Sequence, residues 1–227
     1  MPRKSKSKSY MALQRALSKK QARETRKIAR SVFAGETETK TVGTYEENQQ
    51  LYHNKPFYVG KLLACEQGVK DPDDETSSDA RIGDEISLTN INVRLWLSNK
   101  LDRPNCMYKC ALFWYDEGTS LSDAVVYFTQ KNKMLDRYNN ESITIIDQQI
   151  VFSTNNYAVD ANNHEHSYLC TLGKRYKGRK ITYDEGTPVV KKRNIGMVVV
   201  VYDAFGTLQT DNIASFSYNH IFQFKDA

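Results

Sequence analysis

No run of apolar residues approaches the roughly 18 that a membrane-crossing helix needs, so no membrane partner is expected. The start of the chain is charged and has no apolar core, which does not read as a secretory signal. Its basic residues include many lysines and run on without a cleavage pattern, so it does not read as an organelle transit peptide either. GxGxxG, the P-loop, GxSxG and HExxH are all missing. Dinucleotide chemistry, P-loop phosphoryl transfer, serine hydrolysis and the common zinc hydrolases therefore lose their usual carriers. Histidine and cysteine are scarce, at four residues each. Without a secretory signal, Cys65, Cys106, Cys110 and Cys170 are expected to be free thiols in a reducing compartment. There is no internal repeat.

The remaining signals for a metal or for catalysis are weak. Cys106 and Cys110 with His164 and His166 supply zinc-type ligands, but the spacing misses the finger pattern. Cys110 also falls within an apolar strand pattern, so buried structural cysteine is the better reading. Asp71, Asp73, Asp74, Glu75 and Asp79 are hard oxygen donors in a short span. Thr76 stands where a calcium-binding loop needs Gly, and Ile82 where it needs the bidentate Glu; a solvated acidic loop is the expectation. Asp116 and Glu117 look like turn residues, not the paired carboxylates of a glycosidase cleft. No catalytic residue, metal or cofactor is expected.

The positive charge that is present is unevenly placed. Residues 1–30 hold eleven cations, Arg3, Lys4, Lys6, Lys8, Arg15, Lys19, Lys20, Arg23, Arg26, Lys27 and Arg30, against the single anion Glu24. The segment is thus +10, and since the whole chain is +5, residues 31–227 carry −5. A mildly acidic body with a concentrated cationic tail is the layout of a protein that grips a polyanion at one end. If about six of these side chains met single-strand phosphates, log K would fall with log salt at a slope of roughly −4. Residues 1–33 are read as a nucleic-acid-binding arm and 34–227 as one domain. Tyr10, Leu13 and Leu17 share a face, which predicts a helix over 10–33 that is marginal alone; a disordered tail that orders only when bound is the alternative.

Beyond Phe33 the pattern turns to β. Candidate strands fall at 37–47, 57–65, 86–97, 108–115, 143–153, 167–172, 180–183, 194–206 and along the closing segment. The alternation of 86–97 slips by one residue at Thr89–Asn90, which predicts a β-bulge. Residues 108–115 are apolar on both faces, as a central strand is. A short helix is expected to start near Ser122. In the closing strand Phe216, Tyr218, His220, Phe222 and Phe224 share one face, with His220 as a core or interface histidine satisfied by a hydrogen bond. Eight or nine strands with irregular connections predict an all-β, antiparallel jelly-roll sandwich.

A second basic run, Lys174, Arg175, Lys177, Arg179 and Lys180 around Tyr176, lies between two of these strands, and Lys191, Lys192 and Arg193 come soon after. It reads either as a charged hairpin rim or as a clamp that holds phosphate and stacks a base on Tyr176.

An arm followed directly by one jelly roll resembles the capsid proteins of circular, Rep-encoding single-stranded DNA viruses, the circovirus and geminivirus-like group. The resemblance is carried by the arm 1–30, by ARIGDEISLTNINVRLWL (80–97) with its Arg81-x-Gly83, by CALFWYDEG (110–118), and by FSYNHIFQFKDA (216–227) with its Lys225-Asp226. It implies a homo-oligomeric icosahedral shell, arms facing inward on a packaged single-stranded DNA genome, and Lys/Arg clusters that also engage host nuclear import factors. The arm reads phosphate, so the coat of a small RNA or satellite virus remains an alternative. A cellular nucleic-acid-binding β-sandwich is a second, which the acidic body argues against.

Overall fold

The computed structural model describes residues 18–28, 38–68, 73, 79–100, 102–103, 105–152, 167–204 and 208–226. The chain divides into two compact units, one ending at Glu38 and the other starting at Thr39. In the first, residues 18–28 form an exposed helix, α1. The rest of the expected helix over 10–33 lies outside the described residues.

The second unit contains β1 (Lys40–Tyr52), β2 (Phe57–Val59), β3 (Glu85–Asn99), β4 (Cys106–Asp116), the short α2 (Asp123–Val126), β5 (Thr144–Phe152), β6 (Ser167–Thr182), β7 (Arg193–Asp203) and β8 (Asn212–Asp226). One sheet has the order β1-β8-β3-β6 and the other β2-β7-β4-β5. Every strand pairing within them is antiparallel. Two four-stranded sheets with this interleaved order are the jelly roll.

Side-chain alternation sets which face of each strand is inward. Ile86, Leu88, Ile91, Val93, Leu95 and Leu97 of β3 are fully buried, and Phe216, Phe222 and Phe224 of β8 pack beside them. The inward face changes parity between Leu88 and Asn90, where both neighbours of β3 shift register. The bulge predicted from Thr89–Asn90 is there, and the Thr89 hydroxyl donates to the Gln223 carbonyl at 2.9 Å.

β4 and β7 are buried on both faces. Their second face is covered by the segment between β4 and β5, where Val126, Tyr127 and Ile143 pack on Ala111, Phe113 and Val198. Within this cover the Lys109 ammonium is held by the carbonyls of Lys133, Met134 and Asp136 at 3.2, 3.4 and 2.5 Å. Burial pushes its pKa down. α2 starts after Ser122, as expected, although the Ser122 side chain makes no capping bond.

Two sequence expectations are corrected. The run 57–65 is a strand only to Val59. A Cβ at Gly60 would stand 2.9 Å from the Tyr115 hydroxyl, and Lys61 adopts a φ of 58°. Leu62, Leu63 and Cys65 are nonetheless buried, in coil. Their backbone is satisfied by specific acceptors: Leu62 N–H by Ile195 O at 3.0 Å and Leu63 N–H by Asn194 Oδ1 at 3.1 Å.

The second correction concerns 167–172 and 180–183. They are not two strands split by a loop but the ends of β6, 16 residues long. The intervening charge shrinks to a bulge in which Tyr176, Lys177 and Gly178 stand opposite Thr89. Gly178 takes a φ of 84°, and a Cβ there would meet Ser87 Oγ at 2.8 Å. β6 is the edge of its sheet, and charged side chains on an edge discourage pairing with another chain.

One buried cation ties the connections together. Arg81 is fully buried; its guanidinium donates to the carbonyls of Gly83, Asp184 and Thr187, pairs with Asp84 at 3.0 Å, and lies 4.5 Å from the Tyr183 ring centroid. The Arg-x-Gly segment therefore fastens the approach to β3 to the turn after β6.

Candidate nucleic-acid interface

Positive charge on the second unit gathers at one end of the sandwich, where β6 turns into β7. Residues 174–193 contain Lys174, Arg175, Lys177, Arg179, Lys180, Lys191, Lys192 and Arg193 against Asp184 and Glu185, a net of +6. The body outside the arm is −5 in total, so this end is opposite in sign to the rest of it.

The turn brings the two halves of the cluster together. Tyr183 bridges Val190, and Lys191 N–H donates to Thr182 O at 2.9 Å. A groove of about 600 Å³ results, bounded by Trp114, Arg179, Lys180, Lys191, Lys192 and Arg193, with Glu85 as its one carboxylate.

Three of these cations are placed by specific partners. The Arg179 guanidinium lies 3.9 Å from the centroid of the Trp114 ring, a cation–π contact over a nearly buried indole. Lys180 pairs with Glu85 at 2.6 Å. Arg193 pairs with Asp116 at 3.3 Å and donates to Thr144 Oγ1 at 3.0 Å. Lys174, Arg175, Lys177, Lys191 and Lys192 are exposed and have no carboxylate partner among the described residues.

Tyr176 does not stand free between the cations. It is half-buried, packs edge-on against Trp114 at 6.1 Å between centroids, and belongs to the margin of the core. Burial raises its phenol pKa. The geometry makes it a support for Trp114, and through it for Arg179.

Of the predicted arm residues, Lys19, Lys20, Arg23, Arg26 and Lys27 fall on α1 and are exposed. Arg3, Lys4, Lys6, Lys8, Arg15 and Arg30 lie outside the described residues, as do His164 and His166. So does most of the acidic loop, although Asp79 accepts the Thr41 N–H at 2.6 Å. Cys65, Cys106, Cys110 and Cys170 are free, buried thiols, as expected of structural cysteines. Glu117 and Asp116 serve the turn, Glu117 by accepting from Asn194 Nδ2 at 2.8 Å.

No protein-family model matches the chain, and no curated protein matches it. Among solved structures it is similar to turnip yellow mosaic virus, with 8% identity over 84% of this chain and 94% of that one and a TM-score of 0.32. It is similar also to the Triatoma virus empty capsid, with 16% identity over 84% and 88% and a TM-score of 0.32. A CocE/NonD family hydrolase from Staphylococcus aureus aligns with 80% of this chain and 37% of its own, at 10% identity and a TM-score of 0.25. At scores this low the likeness decides nothing about function.

The groove residues Lys191, Lys192 and Arg193 were outside the basic run that the sequence singles out. Only the turn's hydrogen bonds, which fold them back beside Thr182, reveal that they share one surface with Arg179 and Lys180. The one sequence signal for this is the recurrence of Lys/Arg on both sides of the DEG turn at 184–186.

Proposed function

We propose that this chain is a viral coat protein that self-assembles into a small closed shell and packages single-stranded nucleic acid through its basic arm, its place being the virion. The observation that carries this is the charge split: a +10 arm joined to a −5 jelly-roll body. An arm of that charge neutralises packed phosphates without reading base sequence. An acidic body keeps other surfaces of the subunit from collecting the same polymer. Single-stranded DNA is the genome we favour, on the resemblance of the arm and strand segments to circular single-stranded DNA virus coats. The Lys/Arg clusters would then double as a nuclear address.

A surface suited to self-assembly supports the same reading. Trp96 and Leu169 face each other across β3 and β6 and are 63% and 73% exposed. Tyr45, 58% exposed on β1, lines a shallow hollow together with Trp96. Apolar side chains grouped across one sheet face mark an interaction surface, and a shell supplies the occupant as a second copy of the chain. Trp96→Glu should leave a folded monomer by circular dichroism and prevent shells.

Negative-stain microscopy and the A260/A280 ratio of the purified full-length protein test the proposal. Uniform spherical particles with excess absorbance at 260 nm are expected, and sensitivity to DNase or RNase after opening identifies the polymer. Removal of residues 1–30 should leave shells that are empty. A monomer without nucleic acid at every salt and pH tried would overturn the reading.

A further inference from the structure

We infer that the groove between the end of β6 and the start of β7 is a phosphodiester cradle for single-stranded nucleic acid, so that the folded body holds the polymer as well as the arm. The inference rests on the nucleic-acid reading above and adds to it a second, structured contact.

The groove has the chemistry of a polyanion site. Its walls present five cations and one carboxylate. The Arg179 guanidinium carbon rests 3.9 Å from the Trp114 ring centroid, which restrains the group, while no described residue accepts its N–H groups. A guanidinium held this way presents a rigid fork to phosphate. Lys191 and Lys192 are exposed, and their ammonium groups have no carboxylate partner among the described residues. Lys174, Arg175 and Lys177 extend the charge along the β6 edge, giving a strip instead of a point.

Register places the strip in the row where β1 begins. Lys40 pairs with Phe224, Phe224 with Leu88, and Leu88 with Arg179. These four residues form one row across the sheet. Three strand spacings of about 4.8 Å put the start of β1 roughly 14 Å from Arg179. The chain enters the sandwich in that row, tied down by Lys40 to Asp226 at 2.7 Å and to Ala80 O at 2.8 Å. Sulfated glycans share the anionic chemistry and are the competing ligand in the test.

The test measures binding of a labelled oligothymidylate by the full chain across a salt series. Lys191→Ser with Lys192→Ser removes two exposed ammonium groups and should leave the melting temperature unchanged. The slope of log K against log salt should become shallower by about 1.4, at roughly 0.7 for each single-strand phosphate contact. Lys191→Arg with Lys192→Arg should restore it. In parallel, an arm variant carries Gln at Lys19, Lys20, Arg23, Arg26 and Lys27. If the arm variant loses slope and the folded Ser variant does not, the cradle is overturned and the arm reading stands. If the Ser variant loses slope and the arm variant does not, the cradle stands and the arm reading falls. If the Ser variant keeps its oligothymidylate slope but loses binding to a heparin-derived oligosaccharide, the cradle is overturned in favour of a glycan site.

Discussion

β8 and β6 flank the same strand, β3, and are nearly equal in length, at 15 and 16 residues. They have opposite characters. β8 is interior to its sheet, and Phe216, Tyr218, His220, Phe222 and Phe224 are buried at every second position. β6 is an edge, and between Leu172 and Ile181 it has no fully buried residue. A strand paired on both sides must keep its apolar face in register or lose core; an edge strand is released from that demand. In this molecule the released strand carries the charge of the inferred cradle, while the constrained strand carries stability.

That division can be broken in order of expected effect. Phe222→Ala opens a cavity in the fully buried centre of β8 and should destabilise the body by about 3–5 kcal/mol in urea denaturation. Its salt slope for nucleic acid should not change where it remains folded. A cost under about 1 kcal/mol would mean that β8 holds no more of the core than β6 does.

His220 gives the next largest effect, through pH. Burial lowers its pKa to about 4, and Leu62 O lies 3.1 Å from Nε2. The unfolded chain takes up a proton near pH 6.5, whereas the folded chain resists it until about pH 4. Stability from this group is therefore complete above about pH 6.5 and lost as pH falls toward 4, by about 3 kcal/mol. Urea melts across that window should show the fall in the native chain and a flatter profile in His220→Gln. Parallel profiles would remove His220 from the acid response.

The smallest effect belongs to β6 and its partner. The Lys180–Glu85 pair is exposed, so Glu85→Gln should cost under about 1 kcal/mol. The same change removes the groove's one carboxylate and should tighten oligonucleotide binding. A large loss of stability, or weaker binding, would contradict the separation of roles.

Legibility in the sequence divides along the same line. The slip at Thr89–Asn90 and the alternation of 216–224 were readable because burial on one face leaves no freedom of period. The apolar run 108–115 was readable because β4 is covered on both sides. Leu62, Leu63 and Cys65 misled, since a buried coil held by Ile195 O and the Asn194 side chain has the same composition as a strand. The centre of β6 misled in the opposite sense: its lysines and arginines look like a loop because an edge strand with a bulge has no period to show. Of the cradle, the run 174–180 was visible as charge. Its union with Lys191, Lys192 and Arg193 depends on a turn, and the inward placement of Tyr176 depends on Trp114; neither is encoded in spacing along the chain.

The buried thiols turn this molecule into its own clock. Desolvation pushes the Cys65 thiol up to about 11 and the Cys106 thiol up to about 12, so alkylation at neutral pH waits for the site to open. Cys65 sits in the coil after β2, Cys106 and Cys110 at the start and middle of β4, and Cys170 on β6. Labelling rates at the four positions would separate fluctuations of a connection, a central strand and an edge strand in one native protein. If assembly damps the edge, Cys170 is where the rate should fall first.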